Sequence, residues 1–163
     1  MFDTKQKPLP NIKLPLTQEE KRKLRRKKLR IRDLATCTVE QIEVFLEIPT
    51  ERARLLAGLA EFQTIPSVGI KFAEDLIFLG YYSIESLKGQ EGHALVEEYE
   101  RQKGYWTDSC VEDQFRLITY VANTGDRSRQ WFDFTEERKA YRAEFGYPAD
   151  RPTTAWWSLR EKG

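Results

Sequence analysis

The fold is decided by the stretch Phe62-Gln63-Thr64-Ile65-Pro66-Ser67-Val68-Gly69-Ile70-Lys71-Phe72-Ala73-Glu74-Asp75-Leu76-Ile77. Both ends of this stretch have the apolar spacing of amphipathic helices, and Pro66 and Gly69 interrupt that spacing at the centre. We therefore predict two helices joined by a tight bend. Ile65 and Val68 are expected to insert into the core, and the small Ala73 allows the two helices to pack closely.

The predicted bend has the properties of an anion-binding site. The second helix begins at Gly69, so its free N–H groups and the positive end of its dipole are available to a phosphate. A glycine also lets a ligand approach the backbone, because it has no Cβ. We predict backbone contacts to nucleic-acid phosphate at Ile65, Pro66, Ser67, Val68, Gly69, Ile70 and Lys71. The alternative is a joint between two helices that only packs.

The charge of the chain is unevenly distributed, although the formal net charge is only +1. Residues 1–32 carry twelve Lys and Arg and three Asp and Glu, a balance of +9, and the remaining residues carry 15 basic and 23 acidic side chains, a balance of −8. A basic end favours an acidic partner such as nucleic acid. We predict a capping box at Thr17 and a basic helix over residues 21–32, with phosphate contacts at Arg22, Arg25, Arg26, Lys27 and Arg30. The alternative is a solvated tail without a ligand.

The rest of the chain is predicted to be all-α, because no segment alternates polar and apolar residues as a strand would. Further helices are predicted over residues 39–47, 50–63, 70–79, 84–87, 93–103, 109–123 and 135–145. We expect three parts: a basic N-terminal arm (1–33), a helical domain (34–125), and a C-terminal helix with an extended aromatic tail (126–163). The tryptophans of the tail are expected to anchor it on the core. Exposed aromatic side chains would instead indicate a protein-interaction surface.

The residue types do not support catalysis. His93 is the single histidine, expected on a solvated helix face, and Cys37 and Cys110 have no partners at zinc-ligand spacing. The nearest enzyme class, a DNA glycosylase or lyase, also needs a catalytic aspartate and a base-flipping pocket, whereas Lys71 and Asp75 are spaced as an ordinary helical ion pair. We predict a protein that is not an enzyme and uses no metal and no cofactor.

The location of the protein is predicted from what the sequence lacks. No apolar run is long enough for a transmembrane helix. The first residues lack the apolar segment of a signal peptide, and the two cysteines are expected to be reduced thiols. We therefore expect a cytoplasmic protein with no membrane partner.

Residues 60–123 resemble the bacterial "pathogenicity locus" helix-hairpin-helix family, and the resemblance as a whole covers roughly residues 38–157. It is carried by the bend, by residues 79–89 and by Asp108-Ser109-Cys110-Val111-Glu112-Asp113-Gln114-Phe115-Arg116. The chain departs from the family pattern at Ser67, where the hairpin usually has glycine, and at Ser109, where proline is usual. The resemblance implies a SAM-like bundle, with the bend as its well-formed helix-hairpin-helix unit. Phe45-Leu46-Glu47-Ile48-Pro49 repeats the pattern of Phe62-Gln63-Thr64-Ile65-Pro66 at a period of 17, and this repeat and the segment near Lys88 to Gly92 predict one or two degenerate units. It also implies DNA binding, and it supplies no catalytic residues.

Together, these features predict sequence-non-specific binding of nucleic acid through the bend and the basic arm. Duplex DNA is favoured over RNA and single strands, since the Lys/Arg run has no aromatic residues between its charges. The alternative is a protein–protein interaction adaptor in which the acidic body binds a basic partner. The sequence leaves the oligomeric state open.

Overall fold

The computed structural model describes residues 10–162, which form seven α-helices and no β-strand. The helices are α1 (Gln18–Arg26), α2 (Val39–Leu46), α3 (Thr50–Phe62), α4 (Ile70–Phe78), α5 (Gly92–Lys103), α6 (Ser109–Thr124) and α7 (Thr135–Phe145). Short 3-10 helices occupy Ile31–Thr36, Glu85–Leu87, Trp131–Phe134 and Trp156–Lys162. The predicted all-α bundle of short helices is confirmed, and the boundaries of α2 to α7 lie within one residue of those predicted.

The basic helix is the element whose extent the sequence misjudged. Its capping box is present, since the Thr17 hydroxyl accepts the Glu20 amide and the Glu20 carboxylate accepts the Thr17 amide. Its end, however, is at Arg26 rather than near residue 32. Lys28 adopts a φ of 55°, and the Leu29 amide donates to the Leu24 carbonyl at 3.0 Å. This C-terminal capping arrangement returns Leu29 to the apolar side of the helix, which explains the early end.

The described part of the predicted N-terminal arm packs against α2 and α3. Leu24 is 2% exposed within a cluster that also contains Leu34, Ile42, Leu46, Ala53 and Leu56. The buried Glu20 carboxylate accepts two hydrogen bonds from the Arg52 guanidinium, at 2.8 and 3.1 Å. Residues 1–9 of the arm lie outside the described range. The predicted boundary at residue 33 therefore falls within a packed cluster.

Helix α3 connects two apolar clusters. Its first half contributes Ala53 and Leu56 to the smaller cluster, and its second half contributes Leu59 and Phe62 to the larger one. The larger cluster contains Phe115 and Ile118 of α6, and it also includes Phe72, Ala73 and Leu76 of α4 and Leu95 of α5. Because α3 spans both clusters, the first end of this helix holds α1 and its other end leads into the bend that follows Phe62.

The C-terminal segment joins the body partly through buried ion pairs between α7 and α6. The Arg138 and Arg142 side chains of α7 pair with Asp113 and Glu112 of α6, which are almost fully buried. The tail from residue 147 is non-helical at first, as predicted. It then pairs with Trp106 through a parallel bridge at Ala155 and ends in the 3-10 helix at Trp156, which the sequence did not predict.

Candidate nucleic-acid interface

The bend between α3 and α4 is a tight hydrogen-bonded turn. The Val68 amide donates to the Ile65 carbonyl at 3.1 Å, with Pro66 and Ser67 at the two central positions. Ser67 has a φ of 60°. Proline followed by a residue of positive φ is the pattern of a type II turn, in which glycine is favoured at the second central position. This explains why the resemblance places a glycine where the chain has Ser67.

The apolar residues of the bend point into the core, as the sequence predicts. Ile65 is 2% exposed, Val68 is 7% exposed and Ala73 is fully buried in the larger cluster. Ser67, Gly69 and Lys71 are exposed. The bend is therefore anchored by one set of side chains while its backbone remains at the surface.

The first turn of α4 has an open, uncapped N-terminus. Gly69 is the N-cap residue in an extended conformation, with a φ of −98°, and among the described residues no side chain caps it. A Cβ built on Gly69 would meet no other described atom within 4 Å. Gly69, Ile70 and Lys71 line a groove of about 960 Å³. A ligand in that groove can reach the N-terminus of a nine-residue helix.

Ser67 is held from two sides. Its hydroxyl donates to the Pro66 carbonyl at 2.6 Å and accepts the Trp131 amide at 3.1 Å. The segment after α6 thus contacts the bend on the Ser67 side and leaves Gly69 uncovered.

The groove has charges of both signs. Lys13, Lys71 and Lys103 line it, together with the carboxylates Glu74, Asp75 and Asp108. Burial raises the pKa of Asp75 to about 6, although the Tyr99 hydroxyl, which donates to its Oδ1 at 2.9 Å, acts in the opposite direction. The negative charge of Asp75 is therefore lost as the pH falls through about 6.

One basic residue near the bend was not singled out from the sequence. The exposed Arg127 donates to the Thr64 hydroxyl at 2.9 Å, so its guanidinium lies beside the C-terminal end of α3. The two residues are 63 positions apart, and no spacing rule connects them. The only signal in the sequence was a basic residue in a polar loop.

The start of α1 and the bend lie at opposite ends of α3. Arg22, Arg25, Arg26, Lys27 and Arg30 are all exposed on or just after α1. Helix α1 begins beside Arg52, near the start of α3, whereas Gln63 at the other end of α3 bonds the backbone of Lys13 beside the groove. Eleven residues of helix separate Arg52 from Gln63, which corresponds to about 16 Å.

The fold and this geometry define an all-helical protein in which two core helices meet at an anchored bend with an exposed backbone. The chain belongs to the Pathogenicity locus family, whose model matches residues 56–140, more than half of its length. The match contains the bend and excludes α1. No curated protein and no solved structure matched the chain. Within residues 10–162, no helix has both the length and the apolar character needed to cross a bilayer.

Proposed function

We propose that this protein binds nucleic acid without sequence preference and without catalysing a reaction, with duplex DNA as the main form bound. In this proposal the bend between α3 and α4 acts as the hairpin of a helix-hairpin-helix unit. The observation that carries the proposal is the uncapped N-terminus of α4 at Gly69, which opens into a groove lined by Lys13, Lys71 and Lys103.

The chemistry of the bend favours phosphate over other parts of a nucleic acid. Free backbone N–H groups and the helix dipole attract an anion, and Lys71 adds a full positive charge. Contacts of this kind position a protein on the sugar–phosphate backbone and carry no sequence information. Binding through the bend is therefore expected to be indifferent to sequence and sensitive to salt.

Helix α1 would contribute separately. The start of α1 is held by Arg52, about 16 Å along α3 from Gln63 at the bend, and a duplex presents phosphates continuously over such a distance. The two patches can therefore contact one duplex without forming a single pocket. In this arrangement the bend orients the protein on the sugar–phosphate backbone, and α1 adds non-directional electrostatic attraction to the phosphates.

The second candidate function is that of a protein-interaction adaptor. Phe132, next to the Trp131 that contacts the bend, is 57% exposed. An exposed phenylalanine is compatible with a partner protein that presents apolar side chains.

The test is a titration of mixed-sequence duplex DNA at two salt concentrations with wild type, Gly69→Ala and Gly69→Glu. The open space around Gly69 and its negative φ predict that both variants fold. The added Cβ is expected to weaken binding and the added carboxylate to weaken it further. Ala140→Glu, at an exposed position on α7, introduces the same charge away from the bend. Equal affinities of Gly69→Glu and Ala140→Glu would remove the bend from the proposal.

A further inference from the structure

A second cavity, walled by aromatic side chains, lies beside the groove at the bend. It has a volume of about 460 Å³ and is lined by Trp106, Tyr147, Trp156 and Trp157 among others. The returning tail builds it: the Trp106 amide donates to the Thr154 carbonyl at 2.9 Å, and the Trp156 amide donates to the Trp106 carbonyl at 3.0 Å. This backbone pairing fixes the aromatic walls next to the start of α6. We call this cavity the tryptophan pocket.

The tryptophan pocket and the groove form one continuous surface. Thr107, Asp108 and Trp156 line both of them. A path therefore runs from Gly69 and the three lysines of the groove, past the start of α6, to the tryptophans. Its two ends have different chemistry, because one offers backbone N–H groups and charged side chains of both signs and the other offers aromatic rings.

The walls of the tryptophan pocket suit a flat, uncharged aromatic group. Trp157 is 51% exposed and presents its ring to solvent. The guanidinium of Arg151 lies 3.7 Å from the centre of the Tyr147 ring, and that of Arg142 lies 4.2 Å from it. Because two cations already stack on Tyr147, a cationic ligand is disfavoured.

The carboxylates near the tryptophan pocket are already engaged. Glu100 accepts hydrogen bonds from Arg151 at 2.8 and 3.1 Å, and Glu112 accepts from Arg116 at 2.9 Å and from Arg142 at 3.1 Å. They are therefore not available to recognise a basic side chain. Aromatic stacking is the main interaction that the pocket offers.

We propose that the tryptophan pocket receives an unpaired nucleobase from a strand whose phosphate lies at the bend, so that the preferred partner is duplex DNA with a single-stranded overhang. This inference rests on the proposed function and specifies its substrate. Positively charged grooves combined with aromatic stacking surfaces are the general solution for unpaired nucleic acid. Asp108, between the two cavities, accepts the Cys110 amide at 3.0 Å as the cap of α6, and its charge repels phosphate.

The experiment compares one mixed-sequence duplex with blunt ends, with a three-nucleotide DNA overhang and with a three-nucleotide RNA overhang. Wild type is expected to bind the duplex with an overhang at least about fivefold more tightly than the blunt duplex. This factor corresponds to the lower end of the free energy gained when one base stacks on one aromatic ring. The two overhang chemistries show whether the pocket distinguishes DNA from RNA. Tryptophan fluorescence is expected to be quenched by the overhang and not by the blunt duplex.

The variant Trp157→Ala is expected to lose the overhang preference and the quenching while keeping its affinity for the blunt duplex. Trp157→Phe should retain most of the preference, because a phenyl ring still stacks. Phe145→Ala is the matched control, since Phe145 is 64% exposed and lines neither cavity. It should retain both the preference and the quenching.

The outcomes separate this inference from the proposed function. Equal wild-type affinity for blunt and overhanging duplexes, or an overhang preference that persists in Trp157→Ala, would overturn the inference. If blunt-duplex binding is still lost in Gly69→Glu, the proposed function stands without the pocket. If wild type binds none of the duplexes, both fail, and the exposed tryptophan is assigned to a protein partner.

Discussion

The backbone amide of Trp131 donates a hydrogen bond of 3.1 Å to the hydroxyl of Ser67, which joins the segment after α6 to the bend between α3 and α4. Ser67 occupies a left-handed conformation that serine adopts at a cost of about 1 kcal/mol or more. A glycine there would remove the strain and also the oxygen that Trp131 uses. Serine at position 67 therefore carries backbone strain and gains the hydrogen bond to Trp131.

This relationship predicts that Ser67→Ala is less stable than Ser67→Gly. Alanine keeps the strained φ and loses the hydrogen bond, so we expect the free energy of unfolding to fall by about 1 kcal/mol. Glycine loses the same bond but relieves the strain, so its loss should be smaller. Urea unfolding of the two variants and wild type measures the difference. An alanine variant as stable as wild type would show that the contact with Trp131 contributes nothing to stability.

The raised pKa of Asp75 predicts that the stability of the protein depends on pH. Its folded-state pKa of about 6 lies above the value near 3.9 of an unfolded chain. The folded state therefore holds the proton more tightly, and this group lowers stability as the pH rises from about 4 to about 6. Asp75→Asn keeps an oxygen that can accept the Tyr99 hydroxyl and removes the ionisation.

We expect Asp75→Asn to gain stability relative to wild type across that pH window, by on the order of 2 kcal/mol at pH 7. Urea unfolding at pH 4 and pH 7 measures the gain. Glu74→Gln, at the exposed neighbouring position, is the control and should show a much smaller change. Parallel pH profiles for Asp75→Asn and wild type would contradict the buried environment of this carboxyl.

The local elements and the anchoring of the bend could be predicted from the sequence because they depend on near neighbours. Capping boxes at Thr17 and Thr38 and the burial of Ile65 and Val68 follow from spacing alone. The surroundings of the site could not be predicted, because they are made by residues far apart in the chain. The Arg127 contact and the pairing of Trp106 with the tail are of this kind.

The surroundings of His93 also could not be predicted, because they too depend on residues far away in the chain. Its helix spacing predicted a solvated face, and this prediction was wrong. The imidazole is partly buried, with its ring centre 4.6 Å from that of Tyr141 and its Nδ1 3.1 Å from the Tyr141 hydroxyl. Helix α7, which supplies Tyr141, begins more than forty residues later. The Tyr141 side chain of α7 packs on this face of α5.

Removing Arg138 is predicted to destabilise the attachment of α7. The Asp113 side chain is 1% exposed, and its Oδ1 accepts the Arg138 Nε at 2.6 Å. Arg138→Ala leaves a buried carboxylate without its cation, for which we expect a loss of about 3–5 kcal/mol in the free energy of unfolding. The double variant Asp113→Asn/Arg138→Ala should recover part of this loss, since no charge is left buried.

Lys139→Ala is the matched control for Arg138→Ala, because Lys139 forms an exposed pair with Glu136 on the same helix. It should change stability by less than about 1 kcal/mol. Equal effects of the two single variants in thermal or urea unfolding would mean that Asp113 is solvated in solution.

The separation of α1 from the bend predicts that their contributions to DNA binding are independent. The triple variant Arg25→Ala/Arg26→Ala/Lys27→Ala should make the negative slope of log affinity against log salt concentration less steep by about 2 to 3, if each side chain neutralises one phosphate. Combined with Gly69→Glu, its effect on binding free energy should add to within about 0.5 kcal/mol, as expected for sites that share no partners.

The control Lys88→Ala/Lys139→Ala removes exposed charges elsewhere and should leave the slope nearly unchanged. Strong non-additivity would mean that α1 and the bend hold the same phosphates and would contradict their independence.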